Sequence, residues 1–169
     1  YGQPRDLTVK IALPPDYVEG KCYLECVVNA DFTGHKATWK VTSRLSVADE
    51  AEKTSAILTA ARARVVTAGL QALVLAEGNK GNEAATVVKS VLESIPDGEA
   101  FSPLKGDVGG RMTKALAGKA RFNRWGKHYL RALLRSHQLQ LCTNFMDVGL
   151  QIYGGDAFKS FRHSGDEVF

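Results

Sequence analysis

Apolar and polar residues alternate along three stretches near the start of the chain, residues 7–13, 22–28 and 39–45. The positions on the more apolar side are Leu7, Val9, Ile11, Leu13, Cys22, Leu24, Cys26, Val28, Trp39, Val41, Ser43 and Leu45. A period of two is typical of strands that bury one face. Residues 1–45 are therefore predicted to form a small antiparallel sheet, with residues 21–45 as its hairpin. A sheet of this size needs a covering layer over its apolar face.

The apolar residues then recur at steps of three and four, which is the period of an amphipathic helix. Ser46 and Asp49 have the spacing of a capping box, and residues 48–77 are rich in alanine and free of proline. A second helix is predicted over residues 83–95, because a proline and a glycine follow it. Residues 46–96 are thus predicted to form an antiparallel helical hairpin that covers the sheet.

Residues 97–110 are rich in glycine, proline and aspartate, and they are predicted to form an irregular linker. Roughly residues 112–136 are predicted to form a third, amphipathic helix, with a break near Gly118. Its apolar face, predicted to be buried, consists of Phe122, Trp125, Tyr129, Leu130, Leu133 and Leu134. In the C-terminal segment, residues 138–169, a short strand is predicted at Leu150–Tyr153.

The opposite face of this third helix is cationic. It consists of Arg121, Arg124, Lys127, His128, Arg131 and Arg135. Residues 111–137 hold eight of the 22 Lys and Arg residues and no acid, so the rest of the chain has 14 cations against 18 acids, a net −4. The positive charge is therefore local, although most surface helices also have a charged outer face. The six cationic residues are the predicted binding site, either for an acidic protein surface or for RNA phosphates.

The three cysteines, Cys22, Cys26 and Cys142, favour an intracellular protein. On one strand, Cys22 and Cys26 would lie about 13 Å apart, beyond disulfide reach, so both are predicted to be reduced thiols in a core.

No apolar run approaches the roughly 20 residues of a membrane span. The chain does not begin with Met and has no signal peptide at Tyr1, which indicates a fragment of a longer, cytoplasmic protein.

Motifs for catalysis are absent from the sequence at useful specificity. There is no GxxxxGK[ST] phosphate loop and no GxSxG elbow, and the histidines and cysteines lack the spacing of a zinc site. No metal and no cofactor is expected. His128 and His137 are nine residues apart on one helix, about 13 Å, so they do not flank one phosphate unaided. A further hypothesis is an enzyme with its site at Cys142, Asn144 and Asp147.

The run ARFNRWGKHYLRALLRSHQLQLCTNFMDVGLQIYGG, Ala120 to Gly155, resembles the region that follows the von Willebrand factor A domain in a group of intracellular eukaryotic, mainly fungal, proteins. These proteins combine the A domain with a U-box or RING-like domain and a Hedgehog/intein-like (Hint) domain. The matching residues are Arg121, Phe122, Trp125, Gly126, His128, Tyr129, Leu130, Leu133, Leu134, Cys142, Asn144, Phe145, Asp147, Gly149 and Tyr153 to Gly155. Val148 stands where the family is expected to have proline.

The resemblance implies a module rather than a catalyst, because the chemistry of such proteins belongs to their other domains, whose motifs are missing here. The sequence therefore predicts a single α+β module over residues 1–169: an antiparallel sheet of three or four strands, a long helical hairpin and a basic amphipathic helix. Its expected function is non-catalytic, docking a neighbouring domain or a ubiquitin-pathway partner. The alternative is an RNA-binding or ribosome-targeting protein that acts through the basic helix.

Overall fold

The computed structural model describes residues 6, 9–32, 34–44, 48–144, 146–156, 158, 160, 161 and 164. The chain divides into two compact units. The smaller unit is Val9–Lys53, and the larger one consists of Tyr1–Thr8 and Thr54–Phe169.

The smaller unit contains an antiparallel hairpin of two strands, β1 (Cys22–Phe32) and β2 (His35–Arg44). Gly34, with φ +87°, lies in the turn, where a positive φ favours glycine. The predicted hairpin is thus confirmed, but the prediction of three or four strands is wrong for the part of the chain that the structure describes. Residues 9–13 keep their alternating pattern, yet no described strand pairs with them. Alternating apolar residues give an extended segment one apolar face, but a strand also needs a hydrogen-bonded neighbouring strand.

The apolar face of this hairpin is exposed. Val28 pairs with Trp39 and Cys26 pairs with Val41, so these four side chains share one face. Trp39 is 51% exposed and Val41 is 60% exposed. The Cys22 and Cys26 residues are free and exposed, so the prediction that they lie in a core is wrong.

Two helices follow, α1 (Glu50–Glu77) and α2 (Gly81–Glu93), and a short turn with Asn79 at φ 62° joins them. The predicted pair of helices is present, and both line one shallow groove. Ser46 of the predicted capping box lies outside the described residues. The reciprocal bonds of a capping box instead join Asp49 and Glu52, with Glu52 N donating to Asp49 Oδ1 at 2.7 Å and Asp49 N donating to Glu52 Oε2 at 3.1 Å.

By length and composition, α1 is the one helix among the described residues that could cross a membrane. Core helices meet the same criterion, and α1 buries one stripe of mainly small residues in the larger unit: Leu58, Ala61, Val65, Gly69, Ala72 and Leu73. A Cβ at Gly69 would lie 2.3 Å from Leu134 Cδ2, so the missing side chain makes room for this leucine. Ile57, Leu70 and Val74 of the same helix are 44–68% exposed, so core packing accounts for only part of its apolar composition.

The predicted linker is wrong, because residues 99–116 are helical. A 3₁₀ turn (Glu99–Phe101) leads into α3 (Ser102–Gly106), a π-helical turn (Asp107–Met112) and α4 (Thr113–Leu116). Phe101, Leu104, Val108 and Met112 are buried at helical spacing. Pro103 sits in the first turn of α3, where its missing N–H has no intrahelical partner to lose. Tertiary packing thus overrides a composition that is poor in helix formers.

The predicted basic helix is divided. It comprises α5 (Lys119–Arg121), a second π-helical turn (Phe122–Gly126) and α6 (Lys127–Leu139). The predicted break is confirmed at Gly118, whose φ is +91°. Phe122, Leu130, Leu133 and Leu134 are buried as predicted, but Trp125 is 38% exposed, so its assignment to the core is wrong.

The second π-helical turn explains the position of Trp125. A helical wheel at 100° per residue assumes an unbroken α-helix, whereas a turn with i→i+5 bonds rotates the residues that follow. Gly126, the neighbour of Trp125, faces inward instead. A Cβ there would lie 2.2 Å from the Ala115 carbonyl oxygen, so the two backbones meet directly.

The predicted strand at Leu150–Tyr153 is also wrong, because Val148–Tyr153 form a 3₁₀ helix. Its first turn is closed by Leu150 N, which donates to Asp147 O at 3.0 Å. Leu150 and Tyr153 are buried three residues apart, on one side of the 3₁₀ turn.

Replacement of Gly126 tests the close approach of the two helical runs. Gly126→Ala is expected to destabilise the fold by about 1–3 kcal/mol, because the clash is with rigid backbone rather than with a side chain. Gly106→Ala is the matched control, since Gly106 has helical φ and ψ and open space around its Cβ position. The control is expected to be neutral or to stabilise by up to about 1 kcal/mol. Urea unfolding of both variants checks this, and equal effects would contradict the packing described.

Candidate functional site

The six predicted binding residues lie on α5, the second π-helical turn and α6. Arg121, Arg124, His128, Arg131 and Arg135 are exposed, and Lys127 is half-buried. They differ in their partners. Arg131 forms a salt bridge with Glu77 of α1, and Arg135 Nη1 donates to Gln138 Oε1 at 3.1 Å.

The first three residues of this set differ from Arg131. Among the described residues, neither Arg121, Arg124 nor Lys127 forms a salt bridge. Arg121, Arg124 and Trp125 line a shallow groove together with residues 117–120, which include Lys119. We call this surface the basic groove. It combines unpaired positive charge with an exposed indole ring, a pairing of residue types that is enriched at interfaces.

A network around the buried carboxylate of Asp147 lies behind the groove. Tyr129 Oη donates to Asp147 Oδ1 at 2.6 Å, and Asn144 Nδ2 donates to Asp147 Oδ2 at 2.7 Å. Arg111 Nε lies 3.7 Å from Asp147 Oδ1 and supplies the compensating charge. The Asn144 side chain in turn accepts from the backbone N–H groups of Met146 and Asp147. Both carboxylate oxygens thus have donors, which is what a buried charge requires.

Tyr129 connects this network to the groove. The rings of Tyr129 and Trp125 meet edge to face, with centroids 5.5 Å apart. Burial raises the pKa of the Tyr129 hydroxyl well above its usual value, and the hydrogen bond to Asp147 raises this pKa further. The phenol therefore stays neutral and remains a donor to the carboxylate.

At the hypothetical enzyme site, Cys142 and Asp147 have the following contacts. The Cys142 thiol lies 3.6 Å from the Asn144 carbonyl oxygen, while Asp147 is occupied by its own donors. His128 is exposed and His137 is buried, so these histidines share no accessible surface.

A second buried polar cluster, which the sequence analysis did not find, is centred on His137. His137 Nε2 lies 3.5 Å from Asp107 Oδ2, and His137 Nδ1 lies 3.3 Å from the Tyr153 hydroxyl. All three residues are at least 95% buried. A Cβ at Gly149 would lie 2.4 Å from Asp107 Oδ2, so glycine is needed there to admit the carboxylate. Asp107 was assigned to an irregular linker in the sequence analysis. The apolar residues at helical spacing between residues 101 and 112 are the signal that would have placed it on a buried face.

This cluster borders a pocket of about 320 Å³ in the larger unit. Arg62 of α1 enters the pocket with its guanidinium over the Tyr153 ring, 5.1 Å from the ring centroid. Thr59, Val66, His137, Gln138, Gln140, Asp6 and Tyr153 are among its other lining residues. We call it the Arg62 pocket. Burial raises the pKa of the Tyr153 hydroxyl, which keeps it neutral, and the Arg62 charge opposes part of this shift.

Neither cluster has a metal-binding donor set. Within the described ranges, no group of three His, Cys, Asp or Glu side chains is placed to hold a metal ion.

Tyr129→Phe tests the link between Tyr129 and Asp147. Near neutral pH, the variant is expected to lose about 1.5–3 kcal/mol of unfolding free energy, because a hydrogen bond to a charged group disappears. The folded-state pKa is raised above 10.0, so the contribution of Tyr129 is complete below about pH 10 and falls as the pH rises further. The difference between wild type and variant is therefore expected to shrink above pH 10.

Urea unfolding at pH 8 and pH 11 measures the difference in unfolding free energy between wild type and variant at each pH. The other titratable groups are the same in the two proteins, so their effects cancel in this difference. Tyr17→Phe, at a residue 55% exposed, is the control and is expected to be near neutral. A Tyr129→Phe effect no larger than that of the control would mean that the hydrogen bond contributes nothing.

Comparison with known proteins identifies a similar family. Residues 98–167 match the family model described as VWA / Hh protein intein-like. No curated protein and no solved structure matches the chain. The matched range includes the basic groove, the Asp147 network and the Asp107–His137–Tyr153 cluster, but not Arg62. The predicted likeness to a region associated with von Willebrand factor A and Hint domains is thus supported for residues 98–167, which are less than half of the chain.

Proposed function

We propose that the chain is a non-catalytic interaction module of a larger protein, and that its basic groove docks an acidic protein surface. The observation that carries the proposal is the exposed Trp125 beside the unpaired Arg121 and Arg124. The match of residues 98–167 to a domain family is consistent with a module inside a larger protein.

The two residue types of the groove are those that dominate measured binding energies. Tryptophan and arginine are enriched among hot-spot residues, because one side chain offers a large apolar area and the other several hydrogen-bond donors. The T-shaped contact with Tyr129 holds the Trp125 ring, so less side-chain freedom is lost on binding. An acidic partner would supply the counter-charge that Arg121 and Arg124 lack among the described residues.

The partner classes that we propose are a neighbouring domain of the same protein and, from the resemblance to U-box proteins, a component of the ubiquitin pathway. Both would meet the module in the cytoplasm. RNA is the competing ligand, since a cationic groove with an aromatic ring also suits phosphates and unpaired bases. We favour a protein partner because the match of residues 98–167 to a domain family supports a module inside a larger protein, which places other domains beside it.

Site-specific crosslinking tests this function. A photo-crosslinking phenylalanine derivative replaces Lys119, an exposed lining residue of the groove, in the full-length parent protein, and the crosslinked products are identified by mass spectrometry after irradiation in cells. We expect crosslinks to protein segments rich in Asp and Glu. Arg121→Glu combined with Arg124→Glu is expected to reduce their yield at least about tenfold, because two contacts to charged groups become repulsive.

Arg64→Glu combined with Lys89→Glu is the matched control, since it makes the same charge change on α1 and α2 and should leave the yield unchanged. Crosslinks mainly to RNA, with RNA binding that falls steeply between 50 and 200 mM salt, would mean that the groove binds RNA and not an acidic protein. Equal losses in both double variants would contradict a site at the groove.

A further inference from the structure

We infer that the Arg62 pocket is a binding site for a small oxyanion, a carboxylate or a phosphate monoester. This site is separate from the basic groove, and it draws on residues of α1 that lie outside the range matched by the family model.

The first observation is the unsatisfied Nε atom of Arg62. Arg62 Nε is buried and has no hydrogen-bond partner among the described residues. A buried donor without a partner is destabilising, and more so when the group is charged. The Arg62 side chain is half-buried, and no described acid forms a salt bridge with it. A bound anion would supply both the missing acceptor and the missing negative charge.

The second observation is the set of donors around the same pocket. The Gln138 Oε1 atom accepts from Arg135, which leaves the Gln138 amide N–H groups for a ligand. The Tyr153 hydroxyl is neutral and is held against His137 Nδ1, with Asp107 behind the imidazole. The Tyr153 ring also fixes the Arg62 guanidinium from one side, which is a preorganised arrangement for a planar fork of donors. Val66 and Ala63 add an apolar wall that suits a small organic group.

The third observation concerns competition from the chain itself. Asp6 lines the pocket and is anchored by a paired contact, in which Asp6 N donates to Gln140 Oε1 at 2.6 Å and Gln140 Nε2 donates to Asp6 O at 2.5 Å. Its carboxylate is close enough to raise the Tyr153 pKa, yet it forms no salt bridge with Arg62. A negative charge at this place weakens the binding of any anion. Its removal should therefore strengthen binding in this pocket, a result that anion binding at the basic groove would not produce.

The test is an NMR titration of the ¹⁵N-labelled chain, observed at the arginine Nε–H resonances. Inorganic phosphate and sodium acetate are added in separate arms, at constant ionic strength with chloride as the balancing anion. We expect the Arg62 resonance to shift saturably in at least one arm, which identifies the preferred oxyanion. The resonances of Arg121 and Arg124 in the same spectra report on anion binding at the basic groove.

Three variants test which residues of the pocket determine the affinity for the anion. The Arg62→Gln variant lacks the Arg62 resonance, so its titration is followed at the Gln138 side-chain amide, which lines the same pocket. This variant is expected to weaken binding about tenfold or more through loss of one charge-assisted contact, whereas Arg64→Gln, on the exposed side of the same helix, should leave it unchanged. Asp6→Asn should tighten binding at least about threefold through loss of repulsion. The wild-type and Asp6→Asn titrations do not depend on whether Arg62→Gln folds.

A linear, unsaturated shift of Arg62 in both arms would overturn the inference. Shifts confined to Arg121 and Arg124, or equal affinity in wild type and Asp6→Asn, would also overturn it.

Discussion

The buried carboxylate of Asp147 is the constraint on which the larger unit depends most. A charge at 1% exposure is tolerated only if its oxygens are hydrogen-bonded and its charge is balanced. The groups that meet this demand come from three separate places: Tyr129 on α6, Asn144 in the segment after α6, and Arg111 in the first π-helical turn. The same residue also begins the 3₁₀ helix Val148–Tyr153, because Asp147 O accepts from Leu150 N. One carboxylate thus fixes the mutual positions of the C-terminal elements.

The two π-helical turns position residues of the buried clusters and of the basic groove. The first carries Asp107 and Arg111, which serve different buried clusters: Asp107 faces His137, and Arg111 faces Asp147. The second turns Gly126 toward the backbone of Ala115 and leaves Trp125 half-exposed. Because Tyr129 contacts both Asp147 and Trp125, the buried network determines how the indole is presented at the basic groove. Turns of this type are often found at functional sites, and here they set the surroundings of both candidate binding surfaces.

Much of this fold could be predicted from periodicity. The alternation of residues 22–45 predicted the hairpin, the alanine-rich stripe predicted α1, and Gly118 predicted the break before α5. The failures have a common physical origin, since local pattern does not encode the tertiary partner. Residues 9–13 alternate but have no described neighbouring strand, and the apolar face of Cys26 and Trp39 is exposed although its alternation is that of a buried face.

The candidate sites show the same limit. The six cationic residues were identified from charge pattern, yet the sequence did not separate Arg121 and Arg124 from Arg131, which pairs with Glu77. The composition of residues 97–110 concealed a helix, so Asp107 was not considered as a partner of His137. Arg62 is one of several cations along α1, and only the folded structure brings it over the Tyr153 ring. Clusters assembled from distant segments leave no spacing motif in a single sequence.

A charge-swap experiment tests most directly whether the basic groove is a docking surface for an acidic protein. Once crosslinking has identified the partner segment, Arg124→Glu in the module is combined with a change of the contacting acid to arginine in the partner, and affinity is measured by calorimetry. We predict that each single change weakens binding at least about tenfold and that the combination restores most of the lost affinity. Additive losses, with no recovery in the doubly changed pair, would contradict docking through this groove.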